Sequence, residues 1–282
     1  VKKNMQAMID FYNQQVKEFK SLGIMKPTNE DVNNFIDTDA QKISWSRALK
    51  KDLKNGIMHV YNQDRVKPSA YRPFCKQWLY FDNAFNEEVY KIPKLFPDVS
   101  EKNAVIHITG IGAKKPFSAL IVNAIPNFHF HDTGQCFPLY YFEEKQEDDE
   151  GLGSLFDWDK QEQSKSKYIR HEAITDWALQ LFQSKYGNSL SKEDIFYYVY
   201  GILHSPEYCE QFAASLKKML PRIPLVPSDH DFWAFNQAGK ELAYWHLNYD
   251  TVEPWPLQEI PHGDPNQDGF YRVEKMEFEK GQ

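Results

Sequence analysis

The hydrophobic pattern changes between Ile57 and Phe142, and this change limits the possible folds more than any other feature. Short runs rich in β-branched and aromatic residues, separated by Pro, Gly, Asn and Asp, fill this stretch: QWLYFD, NAVIHITG, FSALIVNAI, NFHFHD and PLYYF. Such runs are typical of strands. On both sides the apolar residues recur at helical spacing. The pattern therefore predicts an α+β fold, with a β-rich module followed by a helical subdomain.

Changes in composition predict four segments. Residues 1–40 are helical, residues 41–150 form a basic, β-rich module, residues 151–165 are a charged linker, and residues 166–282 form a helical subdomain with an irregular C-terminal tail. The acidic run Glu147–Glu150 leads into the linker, and charge runs of this kind are typical of solvated loops. The chain begins with Val1 rather than Met, so we expect it to be part of a longer polypeptide.

The composition favours a reducing compartment and no membrane. Of the 282 residues only three are cysteines, and they lie far apart, whereas disulfide scaffolds carry an even set at regular spacings. No apolar run approaches the roughly 18 residues that a membrane-spanning helix needs. We therefore expect a cytoplasmic protein without a membrane partner.

The usual catalytic motifs are missing from the sequence. There is no GxxxxGK[ST] phosphate loop and no GxSxG nucleophile elbow. The segment GIGAKK, residues 110–115, has two glycines but lacks the third glycine of a dinucleotide loop, and a turn between two strands explains it. Its backbone amides could still receive a phosphate, with Lys114 and Lys115 nearby. We assign no catalytic residue.

The segment HFHDTGQC offers the strongest candidate for a metal site. If it is a strand, His129 and His131 point to the same face, with Asp132 close by. A metal-dependent hydrolase that uses these three residues is therefore one alternative function. Because a tetrahedral zinc site needs three or four convergent ligands, two histidines on a polar strand face are the simpler interpretation. We expect no metal site.

Cations and aromatic residues cluster in one part of a chain whose net charge is −7. From residue 42 to residue 76 there are nine Lys and Arg against two Asp, a local charge of +7. Such separation of charge is typical of a nucleic-acid-binding face. Two other interpretations stay open. One is a solvated helix face beside a strand core that contains Trp78, Tyr80 and Phe81; the other is an aromatic surface that docks a partner protein.

The order of several segments resembles a known family. The segments are YRPFCKQWLYFD, FPDVSEKNAVIHITGIG, FPLYYF, ITDWALQLFQSKYG and DFWAFNQAGKELAYWHLNYD, within about residues 40–250. This series is similar to the C-terminal target-recognition region of type ISP single-chain restriction–modification enzymes. The resemblance implies a parent polypeptide with a nuclease, an ATP-driven motor and an adenine-N6 methyltransferase, which use Mg²⁺, ATP and S-adenosylmethionine. Residues 1–40 would then be the connector from the methyltransferase.

The resemblance also implies that this chain is not itself catalytic. The Asn/Asp-Pro-Pro-Tyr/Phe signature of the family's methyltransferase is absent from the sequence, as are the motor and nuclease motifs. The chain would need no cofactor. It would bind double-stranded DNA, read a short asymmetric sequence and place the upstream methyltransferase over its adenine, while base flipping takes place in that neighbour.

Charge and side-chain shape select the candidate contact residues. Lys and Arg neutralise phosphates, and we predict phosphate contacts for Arg47, Lys50, Lys51 and Lys114. The polar ends of Arg, Lys and Gln match the edges of guanine and adenine, and we predict base reading for Arg72, Lys76, Gln77 and Lys115. Arg72 and Trp78 belong to the regular block of the family, which leaves a scaffold role open for both.

Overall fold

The computed structural model describes residues 1–145, 166–256, 263–267 and 269–270. The chain divides into two compact units, Val1–Asp250 and Thr251–Gln282. In the second unit the Asn266 N–H donates to Asp264 Oδ1 at 2.9 Å and closes a short turn. The acidic run Glu147–Glu150, the predicted linker 151–165 and most of the predicted tail lie outside the described residues.

Blocks of helices and strands follow one another along the first unit and confirm the predicted α+β fold. The helices are α1 (Lys2–Ser21), α2 (Asn29–Phe35), α3 (Arg47–Asn55), α4 (Ile92–Leu95), α5 (Asp176–Tyr186), α6 (Lys192–Leu203), α7 (Pro206–Gln211), α8 (Ala213–Leu216) and α9 (Asp229–Leu247). The strands are β1 (Val66–Arg72), β2 (Cys75–Tyr80), β3 (Val105–Ile108), β4 (Ala119–Val122), β5 (Ile125–Pro126), β6 (Gln135–Pro138), β7 (Tyr140–Glu144) and β8 (Tyr168–Glu172). Across the ranges given above, no helix is both long and apolar enough to cross a membrane.

Helices α1, α2 and α3 pack around one small core. Thr28 begins α2 with a capping box, Ser46 caps α3, and Gly56 ends α3 in the left-handed conformation at φ 69°. These residues are the usual signals for helix ends. The Tyr12 hydroxyl donates to Ile57 O at 2.9 Å and ties the segment after α3 to α1. The capping residues of the sequence therefore set where these helices start and stop.

Strands β3 and β4 form the middle layer of the first unit. Their side chains alternate between two cores: Ile106 and Ile121 pack with the residues of α5, α6 and α9, whereas Val105 and Val122 pack with residues of β1 and α4. Both strands are buried along their whole length, as expected for strands covered on both faces. The sheet β4-β3-β6 therefore lies between the helical layer and the sheet β2-β1-β5.

Helices α6 and α9 approach each other closely over this sheet. A Cβ on Gly239 would lie 1.9 Å from Tyr197 O, so only glycine permits the approach. The Tyr200 hydroxyl accepts a hydrogen bond from Ile121 N at 3.0 Å and lies 2.6 Å from His246 Nδ1. This hydroxyl links α6 to β4 and to the end of α9. The C-terminal end of α9 is thereby fixed beside the sheets.

Strand β8 differs from the sequence-based expectation, which has helical structure from residue 166 onward. It pairs antiparallel with β7, with Tyr140 opposite Glu172. The segment YIRHE is too short for its periodicity to reveal its type, and β7 supplies the hydrogen bonds that make it a strand. The division into connector, β-rich module and helical subdomain stays a prediction.

Candidate nucleic-acid interface

Three contacts hold Arg72 at the tip of the β1–β2 hairpin. Its guanidinium carbon lies 4.2 Å from the ring centroid of Tyr71, a cation–π stack. Its Nη1 donates to Tyr71 O at 2.7 Å and to Asn127 Oδ1 at 3.3 Å. Both bonds use the same nitrogen, so Nη2 and Nε have no partner among the described residues. An exposed arginine held in this way is suited to bidentate recognition of a planar acceptor pair.

The turn formed by residues 127–134 connects the hairpin to the next loop. The Asn127 N–H donates to Ala70 O at 2.9 Å. Asp132 and Thr133 have positive φ angles of 54° and 53°, which are rare outside glycine and rarer still for a β-branched residue. A backbone of this kind persists only where surrounding contacts hold it, and it is concentrated at binding sites. The turn is therefore a candidate part of the functional surface.

The loop formed by residues 110–115 packs directly on this turn. A Cβ on Gly110 would lie 1.9 Å from Thr133 O, so the two backbones are in contact. The Lys114 N–H donates to Asp132 Oδ2 at 3.1 Å, and the side chains of Lys114 and Lys115 are exposed. We call residues 71–74, 110–115 and 127–134 the loop surface. It brings the predicted contact residues Arg72, Lys114 and Lys115 into one hydrogen-bonded array.

The predicted arrangement of His129 and His131 is wrong. The segment NFHFHD forms a turn instead of a strand, so the two side chains do not share a face. His131 Nδ1 lies 3.3 Å from Nδ1 of the buried His107, whereas His129 is exposed beside Phe128. In the part of the chain that the structure describes, no three His, Cys, Asp or Glu residues converge as metal ligands. The geometry therefore gives the hydrolase alternative no support.

Two neighbouring histidines, the buried His107 and the half-buried His131, support the turn as uncharged rings. Burial lowers the pKa of His107 to about 3, and the neighbouring His131 adds to this effect. Burial also lowers the pKa of His131, with a further contribution from the charge of Lys115. The adjacent Cys136 stays a thiol, because burial raises its pKa to about 12. Neutral groups of this kind pack beneath the loop surface without adding charge to it.

No hydrogen bond or ion pair between described residues joins the cations of α3 to the loop surface. Arg47 pairs with Glu88 (Nη2–Oε1 2.7 Å) and with Glu87 (Nε–Oε2 3.2 Å). The Lys50 Nζ donates to Asn33 Oδ1 at 3.0 Å, and Lys51 is exposed. The two carboxylates offset the charge of Arg47. The predicted phosphate contacts are thus divided between α3 and the loop surface.

Comparison with known proteins gives the family. A family model described as the type ISP C-terminal specificity domain matches residues 1–282. The chain belongs to this family. A search of curated proteins found no match to this specificity domain.

The specificity domain is also similar to three solved structures. One is a DrdV–DNA complex solved by cryo-electron microscopy, with 30% identity, a TM-score of 0.73, and coverage of 93% of this chain and 23% of that chain. Another is a nuclease-deletion mutant of the type ISP restriction–modification enzyme LlaGI in complex with a DNA substrate mimic, with 30% identity, a TM-score of 0.70, and coverage of 90% and 20%. The third is the ATP-dependent type ISP enzyme LlaBIII bound to DNA, with 28% identity, a TM-score of 0.69, and coverage of 90% and 15%. The specificity domain therefore spans less than a quarter of each of these chains.

Lys76 of the specificity domain, for which the sequence predicts base reading, is held by contacts with the end of α9, and we call these contacts the α9 latch. Its Nζ donates to Leu247 O at 3.1 Å and pairs with Asp250 Oδ1 at 3.2 Å. Its backbone N–H donates to the Tyr249 hydroxyl at 3.0 Å. Phe74, at the hairpin tip, also contacts Tyr249, with ring centroids 5.3 Å apart. These contacts fasten the hairpin to the end of α9 and turn the ammonium group towards its own protein.

Residues 42–76 have a local charge of +7 in the sequence, but they present less positive charge than this to solvent. Lys67 is buried, and its Nζ donates to Phe96 O at 3.0 Å; burial lowers its pKa, partly offset by the carboxylate of Asp98. Lys42 and Arg65 are paired with acids.

Gln77 is exposed on β2, opposite Ser69 in the ladder. Of the base-reading candidates, Arg72, Gln77 and Lys115 are thus exposed.

Two residues that position Arg72 were missed in the sequence. Tyr71 provides the stacking ring, and Asn127 provides an acceptor from a turn 55 positions away in the chain. Asn127 follows Pro126, and Asn is a common turn residue. Nothing in the sequence connects that turn to Arg72, because their contact depends on the parallel pairing of β1 with β5.

Replacing Lys76 by alanine is expected to loosen the hairpin. A hydrogen-bonded ion pair of this kind contributes about 1 kcal/mol, so the amides of β2 should exchange with solvent about fivefold faster. Lys240→Ala is the matched control, since Lys240 also pairs with a carboxylate, Asp194, at 2.8 Å and faces a tyrosine ring. No hydrogen bond or ion pair between described residues joins Lys240 to the hairpin. Unchanged β2 exchange rates in Lys76→Ala would contradict the α9 latch.

Proposed function

We propose that this specificity domain binds duplex DNA and selects a short sequence. In this proposal it positions an upstream adenine-N6 methyltransferase and an ATP-driven nuclease of the same polypeptide, and is itself non-catalytic. The observation that carries the proposal is Arg72, an exposed arginine that three contacts hold in place. The turn that supplies Asn127 also accepts a hydrogen bond from the loop that carries the exposed Lys114 and Lys115. The DNA bound by DrdV, LlaGI and LlaBIII supports the same partner for this chain.

Arg72, Gln77 and Lys115 are the base-reading residues of this proposal. The free Nη2 and Nε of Arg72 can donate to the O6 and N7 acceptors of a guanine, the commonest specific contact in the major groove. Gln77 has the donor and acceptor that an adenine edge requires. Lys115 is the third candidate, since its loop packs on the turn that holds Asn127. Lys76 leaves this set because of its contacts with α9.

Lys50, Lys51 and Lys114 are the phosphate-contacting residues of the proposal. All three sit on a helix face or loop where a long cationic side chain can follow the DNA backbone. Arg47 stays in the set with a smaller role, because binding a phosphate would require it to leave Glu87 and Glu88. The use of S-adenosylmethionine, ATP and Mg²⁺ by the rest of the polypeptide, and a cytoplasmic location, complete the proposal.

Binding to a random pool of duplexes tests the proposal. The chain should retain duplexes that share one short motif, and its affinity should fall about a hundredfold between roughly 50 and 200 mM salt if four phosphates are neutralised. A protein-docking aromatic surface, which the 62% exposure of Trp78 would also allow, predicts neither result. Failure to retain duplex DNA at low salt would contradict the proposal.

A further inference from the structure

A second pair of lysines lies beside the loop surface. Lys217 and Lys218 follow α8 directly, and both are exposed. Leu216, the last residue of α8, is buried in the helical core and anchors the start of this segment. The Lys217 carbonyl accepts a hydrogen bond from Gly112 N at 3.1 Å. This bond joins the helical layer to the loop that carries Lys114 and Lys115.

The same bond places four cations on neighbouring backbone positions. Lys114 and Lys115 follow Gly112 by two and three residues, and Lys218 is adjacent to Lys217. Two further contacts hold the loop 110–115 in place on the turn 127–134. Gly110 approaches Thr133 closely, and Lys114 N donates a hydrogen bond to Asp132. The relative positions of the two lysine pairs are therefore set by backbone contacts.

The four lysines have no acidic partner within the described ranges. No salt bridge there involves Lys114, Lys115, Lys217 or Lys218, whereas Lys42, Arg47, Arg65 and Lys76 all have one. Four unneutralised ammonium groups in a chain of net charge −7 are suited to an extended anion. A DNA strand presents one phosphate about every 3.4 Å along the helix axis, so adjacent lysines can reach successive phosphates.

We propose that Lys217 and Lys218 contact the DNA backbone and extend the phosphate-contacting surface from the loop surface onto the helical layer. This inference rests on the proposed function, because it assigns two further contacts to the same partner. It adds a segment that the sequence indicates only as the end of a helix. The two lysines neutralise phosphates and leave the choice of sequence to the base-reading residues.

The slope of affinity against salt concentration tests the inference. Each phosphate contact contributes about 0.9 to the slope of log affinity against log salt. The double variant Lys217→Ala/Lys218→Ala should therefore bind a mixed duplex pool with a slope about 1.8 smaller than the wild-type chain, and should select the same motif. Lys217→Gln/Lys218→Gln, which keeps long polar side chains on the segment, should show the same slope.

The matched control is Lys2→Ala/Lys3→Ala, which removes another adjacent pair of exposed lysines at the start of α1. Its slope should equal that of the wild type. If both Lys217/Lys218 double variants keep the wild-type slope, the inference is wrong and the proposed function stands. If the wild-type chain binds no duplex at all, the proposed function itself is wrong. The two failures are thus distinguishable in one series of titrations.

Discussion

Replacing Arg72 by alanine is expected to abolish selection at one base pair of the recognised motif. A bidentate arginine–guanine contact contributes about 1–3 kcal/mol of discrimination, so the ratio of affinities for the preferred base and its alternatives should fall roughly fivefold to 150-fold. Affinity for unrelated duplexes should change much less, because phosphate contacts supply most of the non-specific binding. The measurement is a comparison of the motifs that the wild type and Arg72→Ala select from random duplexes.

Arg170→Ala is the matched control for this experiment. Arg170 also stacks on a tyrosine, with its guanidinium carbon 4.5 Å from the Tyr140 ring centroid, but it belongs to β8 and not to the loop surface. Its replacement should leave the motif unchanged. Arg72→Lys should not restore selection, since lysine lacks the planar fork. A motif that keeps all its positions in Arg72→Ala would show that Arg72 is a scaffold residue.

Replacing Phe232 by alanine is expected to cause the largest loss of stability. Phe232 is fully buried, and its ring stacks on Tyr186 and Tyr198, each with centroids 4.7 Å apart. Removing a buried phenylalanine typically costs about 3–5 kcal/mol, because the lost burial is accompanied by a cavity. Denaturant unfolding should show this decrease in the free energy of unfolding. The loss should also disturb α9, whose far end holds the hairpin through Lys76.

Trp233→Ala is the control for Phe232→Ala, because Trp233 is the next residue of α9 and is partly exposed. Its replacement should cost less than about 1 kcal/mol, as is usual for surface positions. If the two variants lose the same stability, or if Phe232→Ala loses less than about 1 kcal/mol, the stack does not hold the helical layer together.

Local signals in the sequence mark where several helices begin. Thr28, Ser191 and Ser205 cap α2, α6 and α7 through their hydroxyl groups. These bonds form between residues three positions apart, so the sequence alone contains both partners. The short β-rich runs likewise mark β2, β3, β4 and β7. Where residues close in sequence determine the structure, the sequence pattern is sufficient to indicate the element.

Contacts between distant segments explain why some parts of the structure differ from what the sequence pattern indicates. The segment NFHFHD has the composition of a strand, but its ends are held by bonds to Ala70 and Lys114, and it forms a turn. Trp177 lies at helical spacing from Leu181, yet it is 71% exposed, because α5 packs Phe182 and not Trp177 against Tyr198 of α6 and Phe232 of α9. Tertiary packing overrides local preference in such cases.

For the candidate site, too, the sequence identifies the charged residues but not the distant residues that contact them. Charge and side-chain shape selected Arg72, Lys114 and Lys115, whose segments are joined by hydrogen bonds through the turn 127–134. The same criteria selected Lys76, whose partner Asp250 is 174 positions away, and the count of charges included Lys67, which is buried among backbone carbonyls. The sequence contains each cation but not its neighbours, and the neighbours decide whether a cation is free to bind DNA.

The selection of duplexes from a random pool by the wild-type chain is the most direct test of the central claim. That claim is that Arg72, Gln77 and Lys115 of the specificity domain read DNA sequence, before any methyl transfer or cleavage. We expect the retained duplexes to contain one short asymmetric motif, and their affinity to decline steeply with salt. Retained duplexes without a common motif, or equal recovery of the pool at low and high salt, would contradict it.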